Sequence, residues 1–128
     1  MKKPTTFRTA VGALILMAAM WYHGTAFAQT VHNVAVQNYE FIPDMLTVMS
    51  GDTVVWTNES GSHNVNGTQA SFPANPESFG NSVGSDWTYS HVFSIPGVYD
   101  YQCDPHADLG MTGQIVVVDE VVITVNFS

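Results

Sequence analysis

The stretch Cys103-Asp104-Pro105-His106-Ala107-Asp108-Leu109-Gly110-Met111 places a thiol, an imidazole and a thioether within nine residues. Strand-like runs flank it, with Val98 to Gln102 before it and the strongly apolar Gly113 to Val118 after it. A loop of this size can fold around one point and direct all three side chains inward. The pattern therefore predicts two strands joined by a loop that gathers sulfur and imidazole donors.

The rest of the chain, read outward from this loop, also predicts strands. No helical period is visible after residue 28, and short runs alternate with turn residues. A long segment, Asn58 to Asp86, is rich in Asn, Ser, Gly and Pro and predicts a loop that holds at most one short strand or helical turn. Strands at this spacing predict an all-β, Greek-key β-sandwich. The further predicted strands are Val31 to Gln37, Leu46 to Met49, Thr53 to Thr57, Thr88 to Ile95 and Val121 to Ser128.

The first 28 residues have the pattern of a secretory signal peptide. Three basic residues, Lys2, Lys3 and Arg8, precede an apolar run from Val11 to Met20, and the small-residue motif Ala26-Phe27-Ala28 follows. The apolar run is short for a bilayer span. We therefore expect a signal peptide at 1–28, one domain at 29–128 that starts at Gln29, a periplasmic or secreted location, and no stable membrane insertion once the signal is cleaved.

Residues 29–128 carry an unusually acidic set of side chains. They contain all eleven Asp and Glu residues and no Lys or Arg, so their side-chain charge is −11 rather than the −8 of the whole chain. Nucleic acids and anionic lipids bind positive surfaces, so the charge excludes them as partners. It would attract a basic partner, although solubility or a salty habitat explains the same charge equally well.

The single cysteine, Cys103, cannot form an internal disulfide. In a secreted chain, an unpaired cysteine indicates a bond to another chain, a reactive role or a metal. Thiolate, imidazole and thioether together suit copper, and two His with one Cys and a weak axial Met form the blue-copper set. A second histidine is then needed. His63 follows a predicted strand at the rim, whereas His32 and His91 are interpreted as surface or core-edge residues within strands.

The chain resembles the cupredoxins, and within them the plastocyanin and pseudoazurin type. The Cys-x-Pro-His-x4-Met loop, the pair His63-Asn64, the run from Pro96 to Cys103 and Phe41-Ile42-Pro43 carry the resemblance, which covers nearly all of residues 29–128. It implies a sandwich with copper at one end, bound by His63, Cys103, His106 and Met111. It also implies that Asn64 ties the two ligand loops together. Asp104 departs from the commoner small or hydroxyl residue: its carboxylate either lowers the reduction potential or points to solvent.

The resemblance further implies a monomeric type 1 copper protein, not an enzyme, that carries one electron at a time between redox partners. A partner with a basic docking surface would meet an apolar patch around His106. The alternative is a periplasmic copper carrier or store with the same ligands. A domain of a copper oxidase or nitrite reductase would need more histidines than His32 and His91 supply. The residues expected in the patch are Pro105, Ala107 and Leu109, with Met111 and Phe72 beside them.

Overall fold

A computed structural model describes residues 2–3, 27–120 and 124–127, and it has seven strands and one short helix. Alternating burial along the strands, such as that of Asp52–Asn58, shows why these segments form a sheet with one face inside. The strands are β1 (Val31–Gln37), β2 (Glu40–Ile42), β3 (Met45–Met49), β4 (Asp52–Asn58), β5 (Thr88–Phe93), β6 (Gly97–Gln102) and β7 (Thr112–Val118).

The strands form two sheets that pack face to face. One sheet has the order β2-β1-β4-β5 and the other β3-β7-β6. The β1–β4 and β3–β7 pairs are parallel, and the remaining neighbours are antiparallel. The chain crosses between the sheets after β2, β3 and β5. The prediction of an all-β sandwich is therefore confirmed.

Aromatic side chains fill the space between the sheets. Trp56 of β4 is fully buried and stacks on Tyr89 and Phe79 at centroid distances of 5.6 and 5.8 Å. Tyr101 of β6 meets Trp56 edge-on at 5.6 Å. Cys103 belongs to the same buried cluster. The ligand loop, residues 103–111, is therefore anchored on the closely packed core, and a core packed this closely resists displacement.

The structure differs from the sequence prediction in three segments. Strand β2 was not predicted, and a 3-10 helix at Asp104–Leu109 occupies the predicted 103–112 loop. The predicted final strand does not form at residues 124–127, and the rest of it lies outside the described residues. The predicted signal peptide lies mostly outside them as well, so the division at residue 28 stays a prediction. Within the described residues, no helix is long and apolar enough to cross a membrane.

The buried carboxylate of Asp52, at the end of β4 away from His63, makes the stability of the fold depend on pH. It accepts hydrogen bonds from the backbone N–H groups of Thr30 and Met49, at 2.9 and 3.0 Å, and pairs with His32 Nε2 at 2.9 Å. Burial acts to raise the pKa of Asp52, but these hydrogen bonds outweigh it and hold the pKa below its ordinary value of 3.8. The folded protein therefore holds this proton less tightly than the unfolded chain does.

We expect Asp52→Asn to lower the free energy of unfolding at neutral pH by about 1–3 kcal/mol, because a charged acceptor is lost. The depressed pKa stabilises the fold fully above the unfolded-state value of 3.8, and this contribution disappears as the pH falls through the folded-state pKa. Urea unfolding between neutral and acid pH measures both effects. Glu77→Gln is the control, because Glu77 accepts one bond, from His91 at 3.0 Å. Unchanged acid sensitivity in Asp52→Asn would contradict the assignment.

Candidate metal centre

His63 lies beyond β4, where the chain enters the long loop, and it is fixed by backbone bonds. Its N–H donates to Gly84 O and its carbonyl accepts from Gly84 N, both at 3.0 Å. The indole Nε1 of Trp87 also donates to the His63 carbonyl at 2.9 Å. The side chain is only 2% exposed. The imidazole is therefore held against the core by a rigid backbone.

The loop that follows β6 closes on itself through its own backbone. Cys103 N donates to Met111 O at 3.0 Å, and Met111 N donates to His106 O at 3.2 Å. The intervening 3-10 helix has a proline in its first turn and ends at Gly110, whose left-handed φ of 83° terminates it. Cys103 and Met111 are both fully buried. The closed loop thus brings its first and last side chains to the same buried end of the sandwich.

Three predicted ligand atoms converge on one point. The Nδ1 atoms of His63 and His106 are 3.1 Å apart, and Cys103 Sγ lies 3.6 Å from the first and 3.4 Å from the second. A first-row metal ion about 2.0 Å from each nitrogen would hold the two roughly 3.3–3.5 Å apart. The spacing therefore fits a single ion at the centre of the three atoms.

Burial sets the protonation states of these donors. Desolvation, helped by the nearby His106, lowers the pKa of His63 below its ordinary 6.5, so His63 is neutral and can coordinate at neutral pH. Burial raises the pKa of the Cys103 thiol, against hydrogen bonds that lower it. A metal ion must therefore displace the thiol proton when it binds. Two imidazoles, one thiolate and the thioether of Met111 form a donor set suited to copper.

A network of amide side chains ties the two ligand segments together around Asp104. The Asp104 carboxylate accepts hydrogen bonds from Asn64 Nδ2 at 2.9 Å, Asn66 Nδ2 at 2.8 Å and Gln102 Nε2 at 3.0 Å. In return, Asp104 N donates to Asn64 Oδ1 at 2.8 Å. The expected tie through Asn64 is confirmed. The pKa of Asp104 is lowered by the bond from Gln102 together with those from Asn66 and Asn64, although burial opposes them.

The other sequence-predicted residues near the site divide into two groups. His32 and His91 pair with Asp52 and Glu77, away from the cluster, as expected of histidines that are not ligands. Leu109 is 68% exposed and belongs to the surface around His106. The expectation that Met111 joins this surface is wrong, because Met111 is fully buried. Phe72 is half-buried and lines a cavity with residues such as Asp44.

Sequence reasoning missed Tyr39, in the turn between β1 and β2. Its ring meets the His106 ring edge-on, with centroids 4.6 Å apart, and lies 6.2 Å from His63. The turn itself could have been found, since Asn38 is a turn-forming residue between two apolar runs. The approach of the turn to the ligand loop depends on how the sheets pack.

We expect Gly61→Ala to weaken metal binding, because an added Cβ would lie 2.9 Å from His63 Nε2 in a residue whose φ is 82°. The left-handed strain costs about 1–3 kcal/mol of stability, and the displaced ring lowers copper affinity by about 10–100-fold. The measurement is a competition titration with a copper chelator. Gly51→Ala is the matched control, because its φ of 95° gives similar strain with no atom within 4 Å. Equal affinity in the two variants would exclude the contact with His63 as the cause.

Comparisons with known proteins agree with this geometry. The profile of the family described as copper binding proteins, plastocyanin/azurin family, matches residues 25–118. Chloroplastic plastocyanin from Oryza sativa subsp. indica is 33% identical over 116 residues, covering 82% of this chain and 73% of the relative. Pseudoazurin from Paracoccus pantotrophus is 27% identical over 110 residues, covering 86% and 74%. A pseudoazurin structure from Sinorhizobium superposes with a TM-score of 0.59 and 30% identity, covering 70% and 75%.

Proposed function

Because the chain belongs to the plastocyanin/azurin family of copper-binding proteins, small blue-copper electron carriers rather than enzymes, we propose that it carries single electrons between redox partner proteins outside the cytoplasm. The observation that supports this role best is the convergence of His63 Nδ1, His106 Nδ1 and Cys103 Sγ within 4.8 Å of one another. Bound copper supplies a one-electron redox couple.

The residues of the chain serve this role by keeping the donors still. The hydrogen bonds of Cys103 and Met111 within the loop, and those of His63 with Gly84, fix the ligand positions through backbone atoms. Because these bonds join backbone atoms rather than the donor atoms themselves, they favour one placement of His63, Cys103 and Met111 in both oxidation states. Four protein ligands also leave no coordination position for a substrate, which favours electron transfer over catalysis.

The exit for the electron is His106, which is half-buried and reaches the surface beside the exposed Leu109. The acidic residues Glu40, Glu59 and Asp108 on the adjoining segments are exposed. A small apolar contact within an acidic surface suits brief docking of a partner with basic side chains, since charge accelerates the encounter while the contact area stays small.

We expect electron transfer to a small cationic one-electron reagent to slow as the salt concentration rises. Transfer to an anionic reagent of the same potential should accelerate, because salt screens the repulsion between like charges. Stopped-flow measurement of both rates on the copper-loaded protein tests the prediction. A cationic rate independent of salt would contradict steering, and slow electron exchange between oxidised and reduced protein would favour the copper carrier or store over the electron carrier.

The location is proposed from the sequence alone, on the basic, apolar and small-residue order of the first 28 residues. Expression of the full chain in a bacterium, with mass analysis of the fraction outside the cytoplasm, tests it. The exported, monomeric protein should begin at Gln29. Protein found only in the cytoplasm with residues 1–28 attached would refute the proposed location.

A further inference from the structure

The turn between β1 and β2 has an unusual backbone. Asn38 and Tyr39 both adopt left-handed conformations, with φ values of 48° and 63°. Tight hairpins of this kind favour Asn at the first position and Gly at the second. Tyrosine is poorly suited to the second position, because its Cβ crowds the backbone there. Such strain persists where the surrounding structure imposes it, often at functional sites.

The Tyr39 ring uses this position to contact the ligand histidines. It is 58% exposed, yet it lies edge-on to His106 with an interplanar angle of 77° and to His63 with an angle of 83°. Asn38, Tyr39 and the two histidines line a surface cleft of about 210 Å³, together with Ser60, Gly61 and Ser62. Tyr39 thus stands on the solvent side of the metal centre.

His106 needs a contact of this kind because its hydrogen bonds are one-sided. Within residues 27–120, its ring is bonded through Nδ1, the atom directed at His63 and Cys103. Its backbone belongs to a short 3-10 helix in which no residue is fully buried, and besides Tyr39 its ring meets the His63 ring, which is tilted at a centroid distance of 4.8 Å. An edge-to-face aromatic contact has a preferred geometry and restricts ring rotation.

We propose that Tyr39 is a positioning residue for His106: its ring keeps the imidazole oriented with Nδ1 directed at Cys103, and the strained Asn38–Tyr39 turn is retained for this contact. The inference rests on the proposed function only in giving His106 the role of electron exit. Tyr39 is then a residue outside the four ligands that keeps the imidazole of His106, the proposed electron exit, in one orientation.

Four variants separate the effect of the Tyr39 ring from the effect of backbone strain in the turn. Tyr39→Gly and Tyr39→Ala both remove the ring, but only glycine relieves the left-handed strain. Asn38→Gly relieves strain in the same turn and keeps the ring. Tyr39→Phe keeps the aromatic contact and removes the hydroxyl. The readouts are ¹⁵N relaxation of the His106 ring in the metal-free protein, urea unfolding, and electron self-exchange of the copper-loaded protein.

We expect Tyr39→Gly and Tyr39→Ala to increase the motion of the His106 ring equally and to slow self-exchange about tenfold, because a misplaced donor loses coupling. Tyr39→Gly should be the more stable of these two variants, with an equilibrium constant for unfolding roughly two- to fivefold lower than that of Tyr39→Ala. Asn38→Gly and Tyr39→Phe should match wild type in ring motion and exchange.

Wild-type ring motion in Tyr39→Gly would overturn the proposal, and increased motion in Tyr39→Phe would overturn its assignment to the ring. Failure of the proposed function is a separate outcome. Slow self-exchange of the wild-type protein would refute electron transfer, while the relaxation of His106 in the metal-free protein would still decide whether Tyr39 orders it.

Discussion

Replacing Cys103 by serine should abolish the intense visible absorption of the copper-loaded protein and reduce its electron self-exchange to background. The Cys103 side chain supplies the soft anionic donor of the set, and its Sγ lies 3.6 and 3.4 Å from the two imidazole Nδ1 atoms. A serine hydroxyl at this buried position stays protonated and is a harder ligand. Copper affinity should fall by more than about 100-fold, beyond what the loss of a supporting hydrogen bond costs.

The pH dependence of copper affinity is a second test of Cys103 as a ligand. Burial raises the pKa of the Cys103 thiol above its ordinary 9.0, so copper binding releases a proton throughout the neutral range. The affinity of the wild-type protein should therefore rise about tenfold per pH unit, the slope of one released proton. Cys103→Ser should lose this slope, because no thiol remains to ionise.

Met111→Leu is the matched control for Cys103→Ser. Met111 is also fully buried and belongs to the same loop, but its thioether carries no charge. We expect Met111→Leu to retain the visible absorption and to change the reduction potential. A Cys103→Ser protein that kept the absorption would rule out Cys103 as the ligand responsible for it.

The ligand loop could be predicted because its chemistry is local. Cys103, His106 and Met111 are close in sequence, and a loop between two strands closes without information from the rest of the chain. His63 was different, because its place near this loop depends on the packing of two sheets. The choice over His32 and His91 depended on its position after a predicted strand and on the family resemblance. The structure brings His63 to the other ligands.

The features that the sequence did not predict, such as strand β2 and the contact of Tyr39 with His106, depend on tertiary packing. Strand β2 has three residues, too few for an alternating pattern to be detected. Tyr39 gave no signal of its own, because an exposed tyrosine in a turn is common and its contact with His106 joins segments 67 residues apart. The two alternatives for Asp104 could not be separated either, since three amide donors from two segments meet at its carboxylate.

Asp104→Asn should destabilise the fold and raise the reduction potential. The Asp104 carboxylate accepts bonds from Asn64, Asn66 and Gln102, and an asparagine would turn an NH₂ group toward these donors. The loss of one or two such bonds on a largely exposed group costs about 1–2 kcal/mol. A negative charge next to Cys103 favours the more positive, oxidised centre, so its removal should raise the potential by some tens of millivolts.

Asp108→Asn provides the control for charge. Asp108 lies on the same short helix and is exposed, and it makes no side-chain hydrogen bond within residues 27–120. Cyclic voltammetry should give a smaller shift for Asp108→Asn than for Asp104→Asn, and urea unfolding should give no loss of stability. Equal shifts in the two variants would mean that the overall surface charge, rather than the fixed carboxylate beside Cys103, sets the potential.

The amide donors allow the charge of Asp104 to be separated from its structural bonds. Gln102→Leu removes the bond of 3.0 Å to Asp104 and leaves the carboxylate in place. With one donor fewer to neutralise it, the carboxylate should act more strongly on the centre, so Gln102→Leu should lower the potential while it destabilises the fold. Asp104→Asn should destabilise the fold and raise the potential. Opposite shifts in potential from two variants that both lose stability would support an effect of the carboxylate charge, and shifts in the same direction would contradict it.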